Sequence, residues 1–128
     1  MYPTVKRKRA QRHDKQATSS AGALVQRAIN GWLDLASQGD ASMHAQLRAH
    51  VAAQRSELAR EGESAVELLL IERVLTCTLE VEFFDLTRAN SRGISLRQAR
   101  FLEMRQAGAD RRLATALRTL AAVRKLIR

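Results

Sequence analysis

The pattern of apolar and polar positions predicts four helices after an N-terminal segment that lacks apolar periodicity. Residues 1–21 are basic and end in a Ser-rich stretch before Gly22, so they bury too little surface to offset the entropy of ordering them. We therefore predict a disordered basic arm at 1–21 and a single helical domain at 22–128. The expected fold class is all-α, a helical bundle built on a long antiparallel helical hairpin.

The first two predicted helices each have apolar residues at helical spacing. The first covers about 23–37 and is expected to end at the stretch 38–40, and the second covers about 42–61 and is expected to end at Gly62. The apolar positions are Leu24, Val25, Ala28, Ile29, Trp32, Leu33 and Leu35 in the first helix and Met43, Leu47, Val51 and Leu58, with Gln54, in the second. We expect Trp32 in the core.

The third predicted helix is apolar on two opposite faces. It begins at Ser64 and Glu67, a capping box whose side chains satisfy free backbone amides, and it ends near Asn90, before Gly93. One face carries Val66, Leu70, Val74, Cys77, Val81 and Phe84, and the other carries Leu68, Leu75, Leu79 and Leu86. Because both faces must be covered, we predict a fourth helix on one side and either the first two helices or a second copy on the other.

The fourth predicted helix covers about 96–127 and begins at a second capping box, Ser95 and Gln98. The stretch 107–110 is its weak point, and a continuous helix is favoured over a break at which Asp110 caps a separate one. Its apolar seam consists of Leu102, Ala109, Leu113, Ala116, Leu120, Val123 and Ile127. A short turn joins the third and fourth helices, which predicts an antiparallel hairpin.

The positive charge is concentrated at the two ends of the chain. Residues 1–21 contain six basic residues against one acidic, giving +5, and residues 96–128 contain nine against two, giving +7. The stretch 22–95 has seven basic and ten acidic residues, giving −3, which completes the net charge of +9. Two basic segments around an acidic centre indicate a polyanion or an acidic protein as partner.

One face of the fourth helix is predicted to present a basic ridge. The ridge consists of Arg100, Arg111, Arg118 and Lys125, which fall within about 40° of one another on the side opposite the apolar seam, with Arg97 close by. Successive members are about 16.5, 10.5 and 10.5 Å apart along the helix axis. Contact with a phosphate backbone would add salt-dependent and largely sequence-independent affinity. A solvated helix face or contact with an acidic protein partner are the alternatives. The predicted nucleic-acid-binding residues are Arg100, Arg111, Arg118 and Lys125 of the ridge and Lys6, Arg7, Lys8 and Arg9 of the arm.

The remaining residue patterns do not favour catalysis or metal binding. His44 and His50 point about 120° apart on one helix, and no Gly-rich phosphate loop or nucleophile–base arrangement is present. Cys77 lies among apolar residues and is expected to be a buried small hydrophobe. Aromatic residues are few and are not interleaved with the basic runs, so base stacking is not favoured. We expect no enzyme activity, cofactor, metal or small-molecule substrate.

The hydropathy pattern predicts neither a membrane partner nor a secretory signal. No apolar stretch approaches the roughly 20 residues that span a bilayer, and the basic N-terminus lacks an apolar signal region. A single cysteine excludes a disulfide within the chain, which fits a reducing compartment. We therefore expect a cytoplasmic protein.

Two runs, at 58–74 and 111–125, resemble a group of small bacterial all-helical proteins with a basic N-terminal arm and an Arg-rich C-terminal helix. The resemblance covers about 43–128 and implies a helical fold; the group has no assigned activity. The chain departs from that group in its arm, and also at 75–84, where the group has a Trp- and Arg-rich segment.

These patterns together lead to two functional hypotheses. The first is a non-enzymatic accessory protein that binds DNA or RNA weakly through phosphate contacts from the arm and the ridge. The alternative is a helical interaction or self-assembly module that meets an acidic partner or forms a homodimer.

Overall fold

The structure, a computed structural model, describes residues 22–127 as four helices joined by short turns. Residues 22–37 form α1, and the other helices are α2 (Ala41–Leu58), α3 (Ala65–Asn90) and α4 (Leu96–Ile127). The part of the chain described contains no β-strand. The predicted all-α class is confirmed, whereas the arm predicted at 1–21 lies outside the described residues.

The turn between α1 and α2 forms where the stretch 38–40 predicts it. Gln38 and Gly39 both adopt positive φ, at 49° and 79°. The carboxylate of Asp40 then caps α2 by accepting hydrogen bonds from the amides of Ser42 and Met43, at 2.9 and 3.2 Å. This cap satisfies two of the free amides at the start of a helix.

The predicted end of α2 is wrong by three residues. The helix ends at Leu58 because Ala59 already has extended backbone angles (φ −68°, ψ 142°). Gly62 is not the residue just past the helix; it lies in the following turn, with φ of 73°. The shortened helix leaves a loop at 59–64 that carries acidic side chains beside the start of α3.

Both predicted capping boxes are confirmed. The amide of Glu67 donates to the Ser64 hydroxyl at 3.2 Å, and the Ser64 amide donates back to the Glu67 carboxylate at 3.3 Å. Ser95 and Gln98 make the same pair of bonds, at 3.1 and 3.2 Å. The α4 box fixes where that helix starts, and the helix then continues through Gly108 without a break, as favoured.

The core of the protein surrounds the middle of α3. Val74, Leu75 and Leu79 are completely buried, and all four helices contribute to the cluster around them. Those contributions are Ile29, Leu33 and Ala36 from α1, Leu47 and Val51 from α2, and Ala116 and Leu120 from α4. The ring of Trp32 also packs on this core, 5.7 Å from the ring of Phe83.

Polar contacts across the helices show that α3 runs antiparallel to both α2 and α4. Arg55 of α2 pairs with Glu72 of α3 and His50 pairs with Glu82, so residue numbers fall along α2 as they rise along α3. In the same way Arg112 of α4 pairs with Glu80, and Arg124 lies 3.6 Å from Glu67. The predicted antiparallel hairpin of α3 and α4 is therefore confirmed.

Burial of α3 on two faces holds for its middle but not for its first turn. Val66 and Leu68 are each about half-exposed, at 55% and 49%. The reason is the length of α2: Arg55 lies level with Glu72, and the helix ends only three residues later. No turn of α2 is left to cover the start of α3.

Some apolar residues at the edges of the fold are exposed. Leu24, Ala28 and Leu35 of α1 are exposed, because α1 turns its other apolar face, which includes Ile29 and Leu33, toward α3. Ile127, the last residue of the α4 seam, is also exposed.

Two glycines inside helices offer a stability test. Gly31 has no atom within 4 Å of an added Cβ, and at Gly108 the nearest atom is a flexible Arg112 nitrogen at 3.4 Å, an ordinary contact. We expect Gly31→Ala and Gly108→Ala each to raise the free energy of unfolding by about 0.5–1 kcal/mol, because alanine loses less backbone entropy in a helix. Urea denaturation measures this. Gly93→Ala, at a φ of 69°, is the control and should lower stability.

Candidate nucleic-acid interface

The basic ridge lies on the outer face of α4. Arg100, Arg111, Arg118 and Lys125 are all exposed, and the buried side chains of the same helix belong to the seam that faces α3. Burial of that seam leaves the helix no freedom to rotate, so the ridge must point away from the core. The predicted exposure of these four residues is confirmed. The arm residues Lys6, Arg7, Lys8 and Arg9 lie outside the described residues.

The ridge carries charge that is not neutralised within 22–127. None of its four cations lies within the 4.0 Å ion-pair distance of a described carboxylate. Arg118 makes only a long hydrogen bond, 3.4 Å, to the Thr115 hydroxyl. These side chains therefore keep their donors available to a partner.

Other arginines, by contrast, neutralise the acidic centre of the chain. Arg55 donates to both carboxylate oxygens of Glu72, at 2.8 and 3.0 Å, and this hydrogen bonding raises the pKa of Arg55. Arg112 likewise donates twice to Glu80, which raises the pKa of Arg112. Two-bond arginine–carboxylate pairs are the stronger kind of ion pair. Glu72 and Glu80 of the acidic centre are thus neutralised by contacts between helices.

The most buried of these ion pairs involves Arg124 near the end of α4. Its guanidinium donates to a carboxylate oxygen of Glu63 and to the backbone carbonyl of Leu58, and lies 3.6 Å from the Glu67 carboxylate. The side chains are only 11%, 4% and 9% exposed for Arg124, Glu63 and Glu67. Sequence analysis identified the capping role of Glu67 but missed this cluster, since its partners are about 60 residues apart.

Two grooves run along α4, one on each side of the basic ridge. The groove between α3 and α4 has a volume of about 340 Å³, and its lining includes Leu70, Arg73, Arg111, Arg112, Thr115 and Thr119. The groove on the other side is about 410 Å³ and is lined by Leu58, Arg60, Lys125 and the ion-paired Arg124, among others. Arg73 and Arg60 are basic residues of the two grooves that the sequence did not assign to the ridge, because they lie on other elements.

The histidines and the cysteine of the described chain do not cluster. His44 pairs with Asp34 at 3.2 Å, while His50 pairs with Glu82 at 2.9 Å. Cys77 is buried, as expected, and burial raises the pKa of its thiol. Within 22–127 no group of three or more His, Cys, Asp or Glu side chains is placed to hold a metal ion. No helix in that range is long and apolar enough to cross a bilayer.

An exposed aromatic residue lies near the start of α4, next to Arg100 in the sequence. Phe101 is half-exposed, and the Arg105 guanidinium lies 5.2 Å from its ring centroid. A cation over an aromatic face is a favourable contact.

Comparisons of the chain with protein families, with curated proteins and with solved structures give no match in any of the three. The resemblance to small bacterial helical proteins accordingly stays a prediction, and the functional argument rests on the geometry of α4 and its neighbours.

Substitution of Arg124 should test the buried cluster. We expect Arg124→Met to lower the free energy of unfolding by about 3–5 kcal/mol, because it leaves the carboxylates of Glu63 and Glu67 buried without their cation. Lys125→Met, the adjacent exposed position, is the matched control and should change stability by less than about 0.5 kcal/mol. Urea denaturation followed by circular dichroism measures both. Equal effects of the two substitutions would show that the cluster does not stabilise the fold.

Proposed function

We propose that the protein is a non-enzymatic accessory factor that binds nucleic acid weakly through phosphate contacts from the basic ridge and the basic N-terminal arm. One observation carries the proposal: four exposed cations share one face of α4 and have no carboxylate partner within 22–127. On the same helix Arg112 and Arg124 are ion-paired. The helix thus separates cations that hold the fold from cations that are available.

The spacing of the ridge suits a regular polyanion. Arg111, Arg118 and Lys125 are seven residues apart, about 10.5 Å at 1.5 Å per residue. Phosphates along one strand of a duplex rise by about 3.4 Å each, so one ridge interval corresponds to about three nucleotides. Salt-dependent binding to the phosphate backbone needs no contact with base edges.

The expected affinity is low and strongly dependent on salt. Each neutralised phosphate of duplex DNA contributes a slope of about −0.9 to the logarithm of affinity against the logarithm of salt concentration. Four ridge contacts would therefore give a slope of about −3.6 before any contribution from the arm. The chemistry is shared by DNA and RNA.

Mobility-shift titrations of duplex DNA and of RNA at rising salt test the proposal. We expect Arg118→Ala combined with Lys125→Ala to weaken binding and to reduce the salt slope by about 1.8, since two phosphate contacts are removed. The control is Arg27→Ala combined with Arg48→Ala, which removes the same charge from exposed positions of α1 and α2 and should have a much smaller effect. Retardation that is absent at low salt, or equally reduced by both pairs, contradicts the proposal.

A second candidate function, self-assembly or binding of an acidic protein, is favoured by apolar side chains at the tip of the α3–α4 hairpin. Leu96, Phe101 and Met104 are 70%, 51% and 66% exposed. Large apolar side chains that are exposed near one another in the sequence are candidates for a contact surface. Arg97 and Arg105 lie on the same part of α4 and would complement an acidic partner.

Light scattering at micromolar concentration tests the self-assembly hypothesis. A dimer held by the hairpin tip should scatter with twice the chain mass of 14.3 kDa, and Phe101→Ser combined with Met104→Ser should restore the mass of a single chain because it removes the apolar contact. The matched control is Leu24→Ser combined with Leu35→Ser, at exposed positions of α1, which should leave the mass unchanged. A monomer mass for the unsubstituted protein contradicts self-assembly.

A further inference from the structure

The groove between α3 and α4 brings together basic side chains from two helices. Arg73 comes from α3, and Arg111 comes from the basic ridge of α4. The lining also includes the hydroxyl residues Thr115 and Thr119 and the apolar residue Leu70. The groove therefore joins the ridge to a cation that is 38 positions away in the chain.

The guanidinium groups of the groove differ in how they are engaged. Arg112 is held by Glu80, and its guanidinium lies beside Gly108 on the preceding turn of α4. Arg73 and Arg111 are exposed, and neither is ion-paired with a carboxylate of the described chain. Arg73, Arg111 and Arg112 carry three positive charges, and Glu80 neutralises that of Arg112. The net charge at the groove is therefore about +2.

The lining of the groove also supplies a hydroxyl donor. Thr119 donates its hydroxyl proton to the backbone carbonyl of Thr115 at 2.8 Å, so that donor is occupied. The Thr115 oxygen instead accepts from Arg118, at 3.4 Å, and its own proton is not donated to any residue of 22–127. Thr115 can therefore donate to a ligand in the groove.

We propose that this groove binds one phosphate group, with Arg73 and Arg111 as its cations and Thr115 as a hydroxyl donor. A planar guanidinium offers parallel N–H donors that match the oxygens of a phosphate. The inference deepens the proposed function and rests on it for the source of the phosphate, the backbone of a nucleic acid bound along the ridge.

The other groove beside α4 is a weaker candidate for the same chemistry. Its Arg124 is already engaged by Glu63, Glu67 and the carbonyl of Leu58. This groove retains Arg60 and Lys125 as available cations, and its other lining residues in the described chain are the apolar Leu58, Leu117, Leu120 and Ala121. No hydroxyl faces that groove among those residues.

The first experiment measures nucleic-acid binding by an Arg73 variant. We expect Arg73→Gln to weaken binding of a labelled duplex about tenfold at low salt and to reduce the salt slope by about 0.9. Arg73→Lys should retain the slope but lose part of the affinity, because the charge stays while the paired donors are lost. Arg48→Gln, an exposed arginine of α2, is the control and should change affinity less than twofold. Circular dichroism verifies that each variant is folded.

The second experiment uses inorganic phosphate as the probe in an NMR titration of the full chain. We expect shifts of the Arg73 and Arg111 side-chain signals and of the Thr115 amide, and loss of these shifts in Arg73→Gln.

The two experiments together distinguish the groove proposal from the proposed function. Phosphate-induced shifts without any nucleic-acid binding would support the groove as a phosphate site and reject the proposed function. If Arg73→Gln binds the duplex like the unsubstituted protein while the ridge variant is impaired, the groove proposal is overturned and the ridge proposal stands. If phosphate produces no shift and neither substitution affects binding, both are overturned.

Discussion

The enclosure of the middle of α3 by the other three helices is the constraint on which the rest of the structure depends. Val74, Leu75 and Leu79 have no contact with water, and each buried aliphatic side chain stabilises the fold by about 1.5–3 kcal/mol. Neighbouring helices can cover these residues only by turning one particular face inward. For α4 that face contains Ala109, Ala116 and Leu120, and the outward direction of the opposite side follows from it.

Charge follows the same division between inside and outside. Arginines 55, 112 and 124 form ion pairs with acidic residues of the centre, so the segregation of charge along the chain becomes a segregation in space. Acidic groups are drawn into contacts between helices, and unpaired cations remain on the outer face of α4. Ion pairs at the surface contribute little to stability, whereas the enclosed one at Arg124 is expensive to disrupt.

Features that depend on neighbouring residues could be predicted from the sequence. The two capping boxes follow from local rules, and exposure of Arg118 follows from helical periodicity once the seam is known. Contacts between distant residues could not be predicted. The pairing of Arg124 with Glu63 and the approach of Arg73 to Arg111 depend on the register of packed helices. The choice between two apolar sides of α1 likewise depends on which side meets α3.

The cluster at Arg124 has a mechanical consequence for α4. A helix of 32 residues is about 48 Å long, and its last turns would ordinarily fray into solvent. Contacts of Arg124 with the loop before α3, together with the turn at the other end of α4, hold the helix at both ends. The backbone positions that carry its outward cations are then fixed, and little backbone entropy is lost when these cations bind a ligand. Any conformational change on binding must then come from the partner, and a flexible polymer can make that change more easily than a rigid one.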